Sequence, residues 1–189
     1  MPKNIDIVTE KDEPTGKQSS IDHALKMGLW HRGVHVIVCT KTGYVLVQKR
    51  SSNMLTHPGY LDISCGGFVD AGETPLHAAV RELKEELGLD VAPDDFKLIC
   101  ITRQRQSFRR LRKRSRAFIY CYAIVLADHN ADIIQLQVDE VQWAGFLTFA
   151  KVRRLVRLHS LKGLGRVEPI YGFYSLLLRA ARQAVHELA

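Results

Sequence analysis

Glu82, Glu85 and Glu86 fall within little more than one helical turn, and Glu73 precedes them behind a glycine turn at Gly72. Residues at i, i+3 and i+4 share one side of a helix, so these carboxylates gather on a single face. Such a cluster repels itself unless a cation sits among its members. All-oxygen donors of this kind suit a hard divalent ion, with Mg²⁺ the first candidate. A carboxylate-held Mg²⁺ points above all to one chemistry, the attack of water on a phosphate chain. The bland alternative is a solvated acidic face on which Arg81 and Lys84 serve as ion-pair partners.

The element that must position these acids is a short helix. Thr74 is suited to cap its start, Pro75 fits the first helical position, and Gly88 stops it after Leu87. Leu76, Val80, Leu83 and Leu87 recur at spacings of three and four and make one apolar stripe. The expectation is a helix that packs this stripe on a core and turns its acids away from it.

Gly67, Glu73 and the run Arg81-Glu82-Leu83-Lys84-Glu85-Glu86-Leu87-Gly88-Leu89 stand at the spacings of a known signature. The chain thereby resembles the Nudix hydrolases, with the signature covering Gly67 to Leu89 and a weaker similarity over roughly residues 30–160. The resemblance implies an α/β (α+β) fold, an α/β/α sandwich around a mixed sheet. It implies cleavage of a nucleoside diphosphate linked to a group X, with Mg²⁺ or Mn²⁺. It implies Glu85 and Glu86 as metal ligands, Glu82 as a ligand or the group that activates water, Glu73 and Arg81 as their orienters, and the carbonyl near Gly67 as a further ligand. Some relatives use a carboxylate outside the signature, and Glu140 is the candidate here.

A second similarity qualifies the first. Trp30-His31-Arg32-Gly33-Val34-His35-Val36, Gln48-Lys49-Arg50-Ser51 and His57-Pro58-Gly59-Tyr60-Leu61-Asp62 are similar to isopentenyl-diphosphate isomerases, which share the Nudix fold. Those enzymes place a reactive Cys, then Gly-His, just ahead of the signature glutamate. The matching positions here are Gly66, Gly67 and Phe68, and Cys65 lies one residue early. On a strand, one residue reverses the side-chain direction. The reading is a hydrolase of the isomerase-like branch, with isomerase activity as the alternative.

At 189 residues the chain suits one domain, residues 30–189, preceded by an arm at residues 1–29 that packs on it. No apolar run approaches the length of a membrane span, and the N-terminus lacks a secretory core. Cys39, Cys65, Cys100 and Cys121 are scattered singly in apolar stretches, which fits free thiols and a cytoplasmic setting. Residues 5–20 read as a hairpin turning at Glu13–Gly16, and 21–29 as a short helix ending at Gly28. Strands are expected at Val34–Cys39, Tyr44–Lys49, Tyr60–Cys65, Phe96–Gln106 and Arg116–Ala127. Helices are expected at Leu147–His159 and Tyr171–Leu188.

The net charge of +7 is unevenly spread: from Arg103 to Arg116 every charged residue is positive. A like-charged hairpin tip is usually solvated. The functional reading is attraction of RNA or another polyanion, and the rival to the enzyme is a nucleic-acid-binding module with a vestigial site. Arg50, with Lys49 beside it, is the candidate phosphate contact in the cleft, since a guanidinium can bind two oxygens at once. The expected partner is a small phosphorylated substrate, and a homodimer through the arm or the last helix is open.

Overall fold

The chain begins with a hairpin because its apolar residues alternate. In this computed structural model, which describes residues 4–54, 56–161, 165–166 and 173–188, β1 (Asn4–Val8) pairs antiparallel with β2 (Pro14–Ser20). The reversal lies at Thr9–Glu13, with Asp12 at φ 67°, so Pro14, Thr15 and Gly16 belong to β2 and not to the turn. Helix α1 (Ile21–Met27) follows, with the Ser20 hydroxyl accepting from the His23 N–H and Gly28 in the left-handed conformation.

The main sheet comprises β3 (Trp30–Thr40), β4 (Tyr44–Arg50), β5 (Leu61–Ile63), β6 (Cys65–Phe68), β7 (Lys97–Phe108), β8 (Lys113–Leu126) and β9 (Val141–Thr148). Its order is β5-β4-β3-β8-β7, with β6 also on β3 and β9 also on β4. The β3–β8 pair is parallel and the others are antiparallel, so the sheet is mixed. The stretch expected as one strand at Tyr60–Cys65 is two strands, broken at Ser64 with φ 28°.

That break has a structural reason. Strands β3 and β4 pair only at Cys39–Val45 and then diverge. β5 follows the β4 side of the fork and β6 follows the β3 side. Ser64 sits at the apex, its hydroxyl donating to Leu46 O (2.7 Å) and accepting from Val38 N (2.8 Å). The fork thus holds β5 and β6 between its two arms.

Helices cover both faces. α2 (Pro75–Leu87) packs on Val34, Val36, Val38 and Leu46, with Leu83 and Leu87 fully buried. On the other face α3 (Phe149–Leu158) and α4 (Phe173–Leu188) pack on Ile37, Cys39, Val45 and Val47. The alternation of these strand residues between two cores is the period of a strand buried on both sides. The result is the expected α/β/α sandwich. Leu147 and Thr148 close β9 instead of opening α3, and Tyr171 lies outside the described residues.

The arm packs on this body. Ile5 and Ile7 form a small core with Ala24, Val8 joins Trp30 and Phe118, and Ile5 bridges Asp70. No helix among the described residues is long and apolar enough to cross a membrane.

Candidate active site

The N-terminus of α2 is capped as its sequence requires: the Thr74 hydroxyl accepts from the His77 N–H, Pro75 opens the helix, and Gly88 closes it at φ 69°. The apolar face is broader than the leucine and valine stripe. Ala78 and Ala79 are fully buried, while Leu76 and Val80 are only partly so. The small alanines let the helix lie close to the sheet, and this closeness changes the setting of the acids.

Glu82 and Glu86 do not face solvent. They are 8% and 3% exposed, wedged between α2 and the forked sheet. This corrects the expectation that the acidic face stands clear of the core. Only Glu85 is substantially exposed, its side chain at 44%. Burial, and then the charge of Glu82, push the Glu86 carboxyl up to about 8. Two donors pull the other way, Gln48 Nε2 at 2.7 Å and Gly66 N at 3.3 Å. The charge of Glu140 adds to the rise, which puts that residue within electrostatic reach of the cluster.

Arg81 is the hub. Its Nε and Nη2 form a fork on Glu73 (3.0 and 2.9 Å), Nη2 also donates to Phe68 O (3.0 Å), and Nη1 donates to Glu82 (2.8 Å) and Glu85 (3.3 Å). Planar bidentate geometry of this kind holds a carboxylate in one orientation. Burial raises the Glu73 carboxyl, but the Arg81 hydrogen bond and the Asp70 N–H outweigh it and leave Glu73 below its ordinary range. Burial likewise disfavours the Arg81 charge, and Glu73 and Glu82 more than offset it.

Gly67 has a steric role. A β-carbon there would lie 2.1 Å from Glu82 Oε1, so the carboxylate rests directly on the glycine backbone. Gly33, which faces Phe68 in the β3–β6 register, leaves the Gly67 carbonyl uncrowded, since an added β-carbon would stand 3.1 Å from that oxygen. Among the described residues no three His, Cys, Asp or Glu side chains form a ready cage for an ion, and Arg81 bonds two of the relevant carboxylates to itself. The donor chemistry nevertheless fits a hard divalent cation. A buried pair of like-charged carboxylates beside a glycine-sized opening is stabilised by positive charge.

The structure thus brings together Gly67, Glu73, Arg81, Glu82, Glu85 and Glu86, with Glu140 nearby. It does not bring Lys49 or Arg50 to them. Lys49 is paired in register with Leu61 and Trp143 and points away from the side of Gln48. Arg50 donates from Nε to Thr56 O (3.2 Å) and lies 3.8 Å from Asp62. Gln48 is the residue that sequence reasoning missed. A buried amide between Val47 and the strand end, on the same side as Leu46, was the available signal.

Part of the basic segment is engaged within the chain, while Arg109, Arg110, Arg112 and Arg114 stand exposed. Arg103 and Arg105 lie over the Trp30 ring (4.5 and 5.2 Å) and meet Glu10 (2.7 and 3.7 Å), while Lys113 meets Asp22 (2.8 Å). His31 is buried with Nδ1 on Leu29 O (3.0 Å), and Phe68 packs beside it at 5.4 Å between ring centres.

Comparison with known proteins agrees with this geometry. The family model for the NUDIX domain matches residues 29–163. An uncharacterized Nudix hydrolase of Clostridium acetobutylicum is 28% identical over 93% of this chain and 95% of its own length. Nudix hydrolase 3 of Arabidopsis thaliana is 30% identical over 82% of this chain, but the matched part spans only 20% of that longer protein. Among solved structures, the DR0079 protein of Deinococcus radiodurans superposes with a TM-score of 0.63 at 22% identity, covering 94% of this chain and 99% of its own. The Nudix domain of Shewanella oneidensis NrtR, complexed with ADP ribose, gives a TM-score of 0.55 at 18% identity, covering 81% and 86%.

Proposed function

The chain belongs to the Nudix family, and from that premise we propose that it is a metal-dependent hydrolase of the pyrophosphate linkage in a nucleoside diphosphate derivative. The observation that carries the reading is the buried Glu82–Glu86 pair, seated on Gly67 and oriented through Arg81 and Gln48. A fold built only for binding gains nothing from burying two carboxylates side by side.

Glu82, Glu85, Glu86 and the Gly67 carbonyl would hold Mg²⁺ or Mn²⁺, which would neutralise phosphate oxygens and ease deprotonation of water. The protein's own residues do the rest. Water attacks one phosphorus, its proton passes to a carboxylate of the cluster, and the bond from that phosphorus to the bridging oxygen breaks. Glu73 fixes Arg81, and Arg81 fixes Glu82 and Glu85, so the carboxylates are held in place before substrate arrives.

Cys65 is poorly placed to act as the nucleophile that isomerase chemistry needs. Cys65 is 1% exposed, and burial followed by the charges of Glu86 and Glu82 pushes its thiol well above the ordinary range. Four free cysteines, Cys39, Cys65, Cys100 and Cys121, suit action in the reducing cytoplasm.

The test is hydrolysis of a panel of nucleoside diphosphate derivatives with Mg²⁺ or Mn²⁺, run beside Glu85→Gln and with isopentenyl diphosphate assayed for isomerisation. Turnover should fall on the order of 10³-fold in the variant. Full metal-dependent turnover by Glu85→Gln would overturn the assignment.

A further inference from the structure

On the face of the sheet away from α2, helices α3 and α4 and the turn joining β3 to β4 enclose a recess of about 800 Å³. Small-molecule sites typically measure about 300–1,000 Å³. Each helix supplies a stripe of the same make-up. On α3, Phe149, Arg153 and Val156 stand at i, i+4 and i+7, and on α4 Leu178, Arg182 and Val185 repeat that spacing. Residues so spaced share one side of a helix, so each stripe is an arginine between two apolar side chains. Arg179 adds a further cation, and Lys41 comes from the turn. The Phe149 N–H donates to Gly43 O (3.2 Å) and fastens that turn to α3.

The two kinds of side chain lie at different depths. Leu178 and Val185 are buried, and Phe149 and Val156 are half-buried. Lys41, Arg153, Arg179 and Arg182 are exposed at the rim, and none of them meets a carboxylate among the described residues. The two helices carry one acid, Glu187, and Lys97 takes it. No carboxylate or side-chain amide lines the recess, so it has little with which to read a base edge or a sugar ring. A bare polyphosphate would leave the apolar floor in water. A bilayer needs apolar side chains that project, whereas these lie below the arginines. Floor and rim together suit a ligand with an apolar body and one anionic end, which a guanidinium can grip through two oxygens.

We propose that this recess binds a single-chain anionic amphiphile, an aliphatic chain ending in a carboxylate. The chain lies on Phe149, Val156, Leu178 and Val185, and the carboxylate meets Arg153, Arg179 and Arg182. The site is separate from the glutamates, which lie under α2 on the other face, and it does not depend on the hydrolase reading.

The experiment is calorimetry of the whole chain with laurate below its micelle concentration, beside dodecanol and dodecyltrimethylammonium. Laurate should bind at least about tenfold more tightly than the cationic amphiphile. Arg179→Gln with Arg182→Gln should weaken laurate about tenfold and leave dodecanol within about twofold. Arg154→Gln with Arg157→Gln removes the same charge from α3 outside the recess and should leave laurate within about twofold. Ser175→Trp places a ring in the recess and should weaken laurate and dodecanol alike by about tenfold or more. All four arginines are exposed, so both pairs should melt as the wild type does, and laurate should raise Tm in every variant but Arg179→Gln with Arg182→Gln and Ser175→Trp. Equal affinity for the cationic amphiphile, equal loss in the two arginine pairs, or no binding of laurate by the wild type would overturn the proposal. So would retention on phosphatidylcholine vesicles carrying phosphatidylglycerol without binding of free laurate, which would make this face a membrane contact.

Discussion

Replacing Glu86 by Gln tests the buried-carboxylate geometry most directly. The Glu86 carboxyl rises from an ordinary 4.5 to about 8, through burial first and the Glu82 charge second. Between those two values the folded protein holds a proton that the unfolded chain releases. The contribution of this group to stability is therefore greatest at low pH and falls as pH rises through the window. At about 1.4 kcal/mol per pH unit the ceiling is about 5 kcal/mol, and local rearrangement around a buried charge reduces this to about 2–4 kcal/mol. Glu86→Gln removes the charge and keeps the shape. The Gln48 amide can turn over, so that its Oε1, now without a partner, accepts from the new amide. Urea unfolding of both proteins with EDTA, from pH 5 to pH 9, should show the variant more stable by a margin that widens with pH. A margin that stays flat would mean that Glu86 is not held in a buried, charge-penalised site.

Gly67→Ala should expel the Glu82 carboxylate, because the added carbon would lie 2.1 Å from Oε1, and should lower hydrolysis about 10²-fold or more with a modest fall in Tm. Full activity would show that Glu82 need not rest on that glycine. Arg81→Lys should lose the fork on Glu73 and reduce kcat on the order of 10²-fold, since a single ammonium cannot orient Glu73 and Glu82 together; wild-type kinetics would contradict the hub. Cys65 should resist alkylation at pH 8 in the native protein and react once urea unfolds it, as mass spectrometry of labelled peptides would show. Rapid native labelling would refute its burial.

The helix that carries the site was legible almost residue by residue, since its cap, its first-position proline and its glycine stop are local chemistry. The direction of its acids was not. Carboxylates at i and i+4 read as a solvated face, and only the neighbouring alanines Ala78 and Ala79 hint that the sheet comes close enough to enclose Glu82 and Glu86. The fork at Ser64 was also hidden, because it depends on where β3 and β4 part and not on local propensity. With it went the role of Gln48 and the placement of Arg50, which follows Asp62 and the Thr56 carbonyl. The positive segment could be counted in the sequence, but its partners Glu10 and Asp22 are distant in the chain, and long-range pairing leaves no local mark.

The arm is also part of the site's scaffold. Asn4 O accepts from Ala71 N (2.8 Å) and Asp6 accepts from Gly72 N (2.8 Å), so the first strand fastens the very loop that delivers Glu73. This fastening orders the folding reaction. The start of the chain must wait for residues 70–72 before its pairing is complete, and closing a loop of that length costs about 4 kcal/mol of chain entropy. During synthesis the first strand therefore leaves the ribosome well before the loop it must grip. Deleting it would leave a chain that forms α2 and its carboxylates yet assembles the Glu73 loop slowly and holds it loosely.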